Sequence, residues 1–144
     1  MDVASACLVG HKCRYNGEAS EDLRIKKMYE KGLVMPVCPE LLAKLPVPRA
    51  ASEIVDGDGE DVLAGRARVM AQDGADITRE FVKGAQMTLE IAKQCGAKRA
   101  YLKAKSPSCG CGHIYDGTFT GQLCQGDGVT SAVLKKHGIE VIEI

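Results

Sequence analysis

Short apolar runs alternate with amphipathic stretches along most of the chain. Val3 to Val9 is apolar, partly β-branched and stops at Gly10, which predicts a buried first strand opening into a loop, with Cys7 near the strand's C-terminal end. From Glu21 to Lys31, Leu23, Ile25, Met28 and Tyr29 form an imperfect helical stripe, and Gly32 is placed to cap it. A second strand, Leu33 to Val37, ends at Cys38-Pro39-Glu40, because proline removes a ladder donor. Between Pro46 and Gly74, apolar runs around Ile54-Val55 and from Ala67 to Ala71 flank the turn-rich Asp56-Gly57-Asp58-Gly59, which predicts an exposed β-hairpin. Asp76 to Cys95 is the longest helix candidate: Thr78 is a candidate N-cap, Phe81, Ala85, Leu89 and Ala92 share a face, and Gly96 ends it. Ala100 to Ala104 predicts a strand before the loop Ser106-Pro107-Ser108-Cys109-Gly110, and Gly128 to His137 and Ile139 to Ile144 predict a helix and a last strand.

Strands alternating with helices predict right-handed crossovers and a mostly parallel sheet flanked by helices. The fold class is α/β with Rossmann-like layering and an inserted β-hairpin. A length of 144 residues fits one domain, 1–144. Ligands in such sheets bind beyond the carboxyl ends of the strands, so Cys7, Cys38 and Cys109, each following a predicted strand, are candidates for one crevice.

Charge and composition narrow the partners. Nineteen basic residues balance nineteen acidic ones without a like-charged run, which argues against long nucleic acid and a membrane surface and for a small molecule. Tryptophan is absent, and two phenylalanines and four tyrosines offer few stacking platforms for a single strand. The N-terminal residues lack a secretory pattern and no apolar run reaches membrane length, so the expected location is cytoplasmic. In a reducing compartment, seven cysteines point to metal binding or catalysis rather than a disulfide framework. Five residues separate Cys7 from Cys13 and one separates Cys109 from Cys111, neither being the spacing of a structural zinc ribbon.

Several polar groups are candidates for chemistry, each with a plain structural alternative. Arg14, Tyr15 and Asn16 bring a guanidinium, a phenol and an amide into one loop able to orient a polar heterocycle, although Asn16-Gly17 is equally a turn signal. Glu40 lies two residues from Cys38 and is either a proton-transfer group beside a metal-bound substrate or a helix N-terminal glutamate. Ser106 and Ser108 either donate to a substrate or close the turn around Pro107. Arg49 pairs with Glu53 or with a ligand oxygen, and His11, His113 and His137 are too isolated to suggest a metal pair. Gly126-Asp127-Gly128-Val129-Thr130 lacks the lysine of a phosphate loop and is read as a tight turn whose helix positions the loop Tyr115 to Phe119.

Six segments in order, Ser5 to Gly10, Cys13 to Gly17, Pro36 to Glu40, Leu45 to Arg49, Lys105 to Gly110 and Gly126 to Thr130, resemble the 2-thiouracil desulfidase family. The resemblance implies a 4Fe-4S cluster held by three cysteines, here Cys7, Cys38 and Cys109, with one iron open to the sulfur of a thiolated pyrimidine. It implies non-redox desulfuration to the oxo compound with release of sulfide, in an oxygen-sensitive enzyme. It also implies Glu40 as acid/base and Ser106 as a substrate or proton-relay partner, with Arg14, Tyr15, Asn16 and Ser108 as candidate substrate-binding residues. Cys13 occupies a position that can hold valine in the family and is left outside the cluster. Asn16 stands where aspartate is common and Leu41-Leu42-Ala43-Lys44 replaces a more glycine-rich stretch, so the pocket is expected to differ in charge and shape. Two other functions compete: a metal-free cysteine hydrolase or transferase using Cys109 and a histidine, and a non-catalytic carrier of a cluster or sulfide. A homodimer is compatible with the sequence.

Overall fold

The computed structural model describes residues 1–144. In chain order the elements are β1 (Asp2–Ser5), a 3-10 turn (Ala6–Val9), α1 (Leu23–Glu30), β2 (Val34–Val37), α2 (Pro39–Leu42), β3 (Ser52–Val55), α3 (Gly59–Leu63) and β4 (Arg68–Ala71). There follow α4 (Thr78–Gln94), β5 (Arg99–Leu102), β6 (His113–Tyr115), β7 (Leu123–Gln125), α5 (Val129–Lys136) and β8 (Glu140–Glu143). The central sheet is parallel in the order β2-β1-β5-β8, and β3-β4 and β6-β7 form two antiparallel pairs. This is the expected α/β layering, with a second hairpin that the apolar pattern did not signal.

Alternation along the strands divides the buried side chains between two faces. Val3, Ala100 and Leu102 join the larger core with Phe81, Ala85, Leu89 and Ala92 of α4 and Val133 and Leu134 of α5. Ala4 and Val34 join the smaller core with Ile25 of α1 and the 3-10 turn, against which Tyr101 packs. The four α4 positions expected to share a face are all buried, and removing a side chain of Leu or Phe size from water stabilises by roughly 1.5–3 kcal/mol. No helix is long and apolar enough to cross a membrane.

Three local expectations are corrected. The first strand stops at Ser5, and Ala6–Val9 winds into a 3-10 turn whose four residues are all buried. An apolar run buried on every side carries no period that separates strand from tight helix. β3 and β4 do pair, but Asp58 caps α3 through a reciprocal capping box with Asp61 where a simple turn was expected. That hairpin is not exposed either, because Ile54 and Val69 belong to the larger core. Thr78 does not cap its own helix: its Oγ1 accepts from Val69 N at 2.9 Å, tying α4 to β4, while Ile77 occupies the N-cap.

α2 is one short turn, too short to be stable alone, and is held by a close approach to α4. A Cβ on Gly84 would run into the carbonyl of Pro39, so only glycine lets the two backbones meet there. Replacing an interior helical glycine by alanine ordinarily stabilises by up to about 1 kcal/mol. Here Gly84→Ala is expected to have the opposite sign, a net loss of about 1–2 kcal/mol once overpacking is set against that gain, read as a lower urea midpoint with unchanged slope. An unchanged or raised midpoint would show that α2 is free to move away.

Candidate metal centre

The chain after β1, β2 and β5 runs into one cavity of about 470 Å³, and four of the seven thiols, those of Cys7, Cys13, Cys38 and Cys109, line it. All seven cysteines are free. Cys7 sits in the 3-10 turn, where its carbonyl accepts from Gly10 N at 3.4 Å and Ser20 N at 3.0 Å, and Gly10 closes the turn at φ 104°. Cys38 is the N-cap of α2, in extended conformation with Pro39 at the first helical position, so strand exit and helix entry together fix its direction. Cys109 lies in the loop after β5.

That loop is braced from below by α5. The first-turn amides of a helix lack intrahelical acceptors, and here Val129 N donates to Pro107 O at 2.8 Å and Thr130 N to Ser108 O at 2.9 Å. Ser131 Oγ donates to Cys109 O at 2.8 Å, and Gly128 N donates to Gly110 O at 2.8 Å. The expectation that this helix positions the Tyr115–Phe119 loop is corrected, since these bonds go to the Cys109 loop. Within the loop Ser106 Oγ accepts from Ser108 N at 3.1 Å and Cys109 N at 2.7 Å. Its hydroxyl proton is left for a partner in the cavity that Ser106 lines.

Glu40 projects from the first turn of α2 into the same cavity. Cys38 Sγ donates to its Oε2 at 3.4 Å, and Arg49 Nη2 approaches the same oxygen at 3.5 Å, both side chains of the ion pair being largely buried. Arg49 also donates from Nη1 to Pro46 O at 3.1 Å and from Nη2 to Cys13 O at 3.2 Å, so it pairs with Glu40 instead of the expected Glu53. Glu53 is buried and accepts from Gly117 N at 2.9 Å and Phe119 N at 3.2 Å.

Three of the cavity thiols, Cys13, Cys38 and Cys109, titrate high. Burial, then the charge of Glu40, pushes Cys109 well above the ordinary thiol range. Cys38 is raised by its hydrogen bond with Cys13, by burial and by Glu40. The Cys13 thiol is lowered by its bond with Cys38, but its bond with Cys7, burial and the nearby charges push it up to about 11 overall. Protonated, buried thiols are poor nucleophiles but are the resting form of soft ligands that a metal deprotonates.

The structure brings Cys7, Cys38, Cys109, Glu40, Ser106, Arg14 and Tyr15 to one cavity. It does not bring Asn16 or Ser108 there. Asn16 Oδ1 accepts from Glu18 N at 3.0 Å and its Nδ2 donates to Glu18 Oε2 at 3.1 Å, the turn role of Asn16-Gly17. Ser108 is buried with Oγ 2.8 Å from Thr130 Oγ1. Sequence reasoning missed Cys13, Glu53, Lys103, Lys105 and Phe119 as lining residues. Cys13 lines the same cavity as Cys7 and Cys38, and its place in the loop that follows Cys7 was the one signal for it in the sequence.

No three of the chain's His, Cys, Asp and Glu side chains stand close enough to hold a single metal ion. A four-iron cluster would be held by cysteine thiolates, and Cys7, Cys38 and Cys109 all line this cavity. The lining cations Arg14, Arg49, Lys103 and Lys105 outnumber the carboxylates Glu40 and Glu53, which suits the negative charge of a thiolate-bound cluster. The donor set therefore fits that group.

The model of the 2-thiouracil desulfurase family matches residues 3–144. YbbK of Bacillus subtilis strain 168 is 44% identical over 142 residues, which cover 99% of this chain and 94% of that protein. The solved structure of TudS, a 4Fe-4S-dependent thiouracil desulfidase, superposes with a TM-score of 0.86 at 36% identity, covering 99% of this chain and 89% of that one. The chain shares that α/β fold and, matched over nearly its whole length, belongs to the 2-thiouracil desulfurase family.

Proposed function

We propose that this chain hydrolyses the carbon–sulfur bond of a thiolated pyrimidine, exchanging sulfur for the oxygen of water and releasing sulfide. The observation that carries the reading is the convergence of three strand-end thiols, Cys7, Cys38 and Cys109, on one cavity with Glu40 and Ser106 in a chain of this family. Those cysteines would hold a 4Fe-4S cluster. When bound, the cluster supplies a thiophilic Lewis acid with one iron free of protein ligands, which polarises the thiocarbonyl.

The remaining work falls to side chains. Glu40 takes a proton from the water that attacks the ring carbon, and its Oε2 is held for that purpose by Arg49. Ser106 donates its free hydroxyl proton toward the ring, while its oxygen keeps the Cys109 turn closed. Arg14 and Tyr15 border the cavity from the 10–17 loop and orient the heterocycle. Atoms balance without a redox partner: thiocarbonyl and water become carbonyl and hydrogen sulfide.

A metal-free cysteine hydrolase finds little support. None of the three histidines lines the cavity, so Cys109 has no imidazole base, and burial holds its thiol protonated.

Two outcomes test the reading. Cys7→Ser, Cys38→Ser and Cys109→Ser are each expected to retain less than about half of the parent's iron after anaerobic reconstitution, whereas Cys95→Ser, at the far end of α4, retains all of it. Full iron in Cys109→Ser would sink the ligand assignment. Glu40→Gln is expected to keep its iron and lose about 10²–10⁴-fold in sulfide release from 2-thiouracil, the usual worth of a positioned acid/base. A variant within a factor of three of the parent would remove Glu40 from the mechanism.

A further inference from the structure

The chain has only two phenylalanines and four tyrosines, and Phe81, Phe119, Tyr15 and Tyr115 of these line the cavity. Phe81 is buried in the larger core. Phe119 is different, because it belongs to the β6–β7 loop and is held at φ +58°, a left-handed conformation that bulky side chains rarely adopt. Strain of this kind persists only where the surroundings impose it.

Contacts from β3 hold it. Glu53, a buried carboxylate on β3, accepts the amides of both Gly117 and Phe119 on one oxygen, Oε1. Gly117, at φ +90°, lets the loop close onto β3, since a Cβ there would strike the Ile54 carbonyl. Asp116 closes the tip from within by accepting Thr118 N at 3.0 Å, and Asp116 N donates to Gln122 O at 3.0 Å. A loop fixed at both base and tip presents its aromatic ring without an ordering cost at binding.

We propose that Phe119 is the specificity-determining wall against which the planar heterocycle stacks, and that Glu53 is its positioning residue. The inference rests on the desulfidase reading for the identity of the heterocycle, and it assigns to the β6–β7 loop the selection of flat, conjugated rings over other thioamides. A flat ring offers its face to Phe119 while its edge stays free for Glu40 and Ser106, which line the same cavity from the segments that follow β2 and β5.

The test uses the anaerobically reconstituted protein with two probes: 2-thiouracil for turnover, and uracil, which has no sulfur to lose, for binding by calorimetry. Phe119→Ala is expected to raise KM for 2-thiouracil and Kd for uracil by about tenfold, within the roughly 5- to 150-fold worth of base–aromatic stacking, with kcat within about twofold and iron content unchanged. Phe119→Tyr restores both. Glu53→Ala is expected to raise amide hydrogen exchange across residues 115–121 and to reproduce the KM increase, whereas Glu53→Gln, which keeps an acceptor oxygen, does neither. Unchanged KM and Kd in Phe119→Ala, or a loss confined to kcat or to iron, overturns the proposal while leaving the desulfidase reading intact. Phe119-dependent uracil binding without any turnover of 2-thiouracil by the parent upholds the wall and overturns that reading. Absence of both turnover and uracil binding overturns both.

Discussion

The unsatisfied amides at the start of α5 need acceptors, and the loop carrying Cys109 supplies them. Helix and loop thereby solve each other's problem: Val129 and Thr130 lose orphan donors, and Pro107 and Ser108 lose orphan carbonyls that burial would penalise. No buried side-chain nitrogen or oxygen is left without a partner in the protein. The thiol of Cys109 is consequently aimed by the packing of a helix against a sheet rather than by the loop's own preferences. Gly128 completes this arrangement, because a Cβ there would collide with the Ser108 carbonyl.

The same economy governs Cys38 and Glu40. β2 stops at Val37 and α2 starts at Pro39, so the single intervening residue, Cys38, turns strand direction into helix direction and stands two positions from the Glu40 carboxylate that lines the same cavity. Arg49 then joins three separated segments, reaching the Glu40 carboxylate and the carbonyls of Pro46 and Cys13. Its largely buried guanidinium keeps a charge beside the thiols compensated, which an exposed ion pair could not do against solvent screening.

Periodicity made the scaffold legible. The α4 stripe, the helices capped near Gly32 and Gly96 and the parallel strands follow from rules that act over a few residues. Topology puts Cys7, Cys38 and Cys109 beyond the carboxyl ends of three neighbouring parallel strands. What sequence reasoning missed is non-local or aperiodic. The 3-10 turn at Ala6–Val9 hides in a uniformly apolar run, and β6 and β7 are three residues each, too short to show alternation. Arg49 was expected to pair with Glu53 or with a ligand oxygen, and only the fold decides that Glu40 faces it while Glu53 turns to the loop amides. Asn16 and Ser108 carried polar groups suited to a ligand, yet near neighbours took those groups first.

The cavity has walls of different origin. Thiols, Glu40 and Ser106 come from the ends of the parallel strands, whereas Glu53, Tyr115 and Phe119 come from the two hairpins set beside the sheet. Neither hairpin contributes a candidate cysteine to the cavity, so substitutions at Glu53, Tyr115 or Phe119 leave Cys7, Cys38 and Cys109 themselves in place. Descendants of such a chain can therefore change the compounds they accept on the hairpin side of the cavity while keeping the same three cysteines on the other elements.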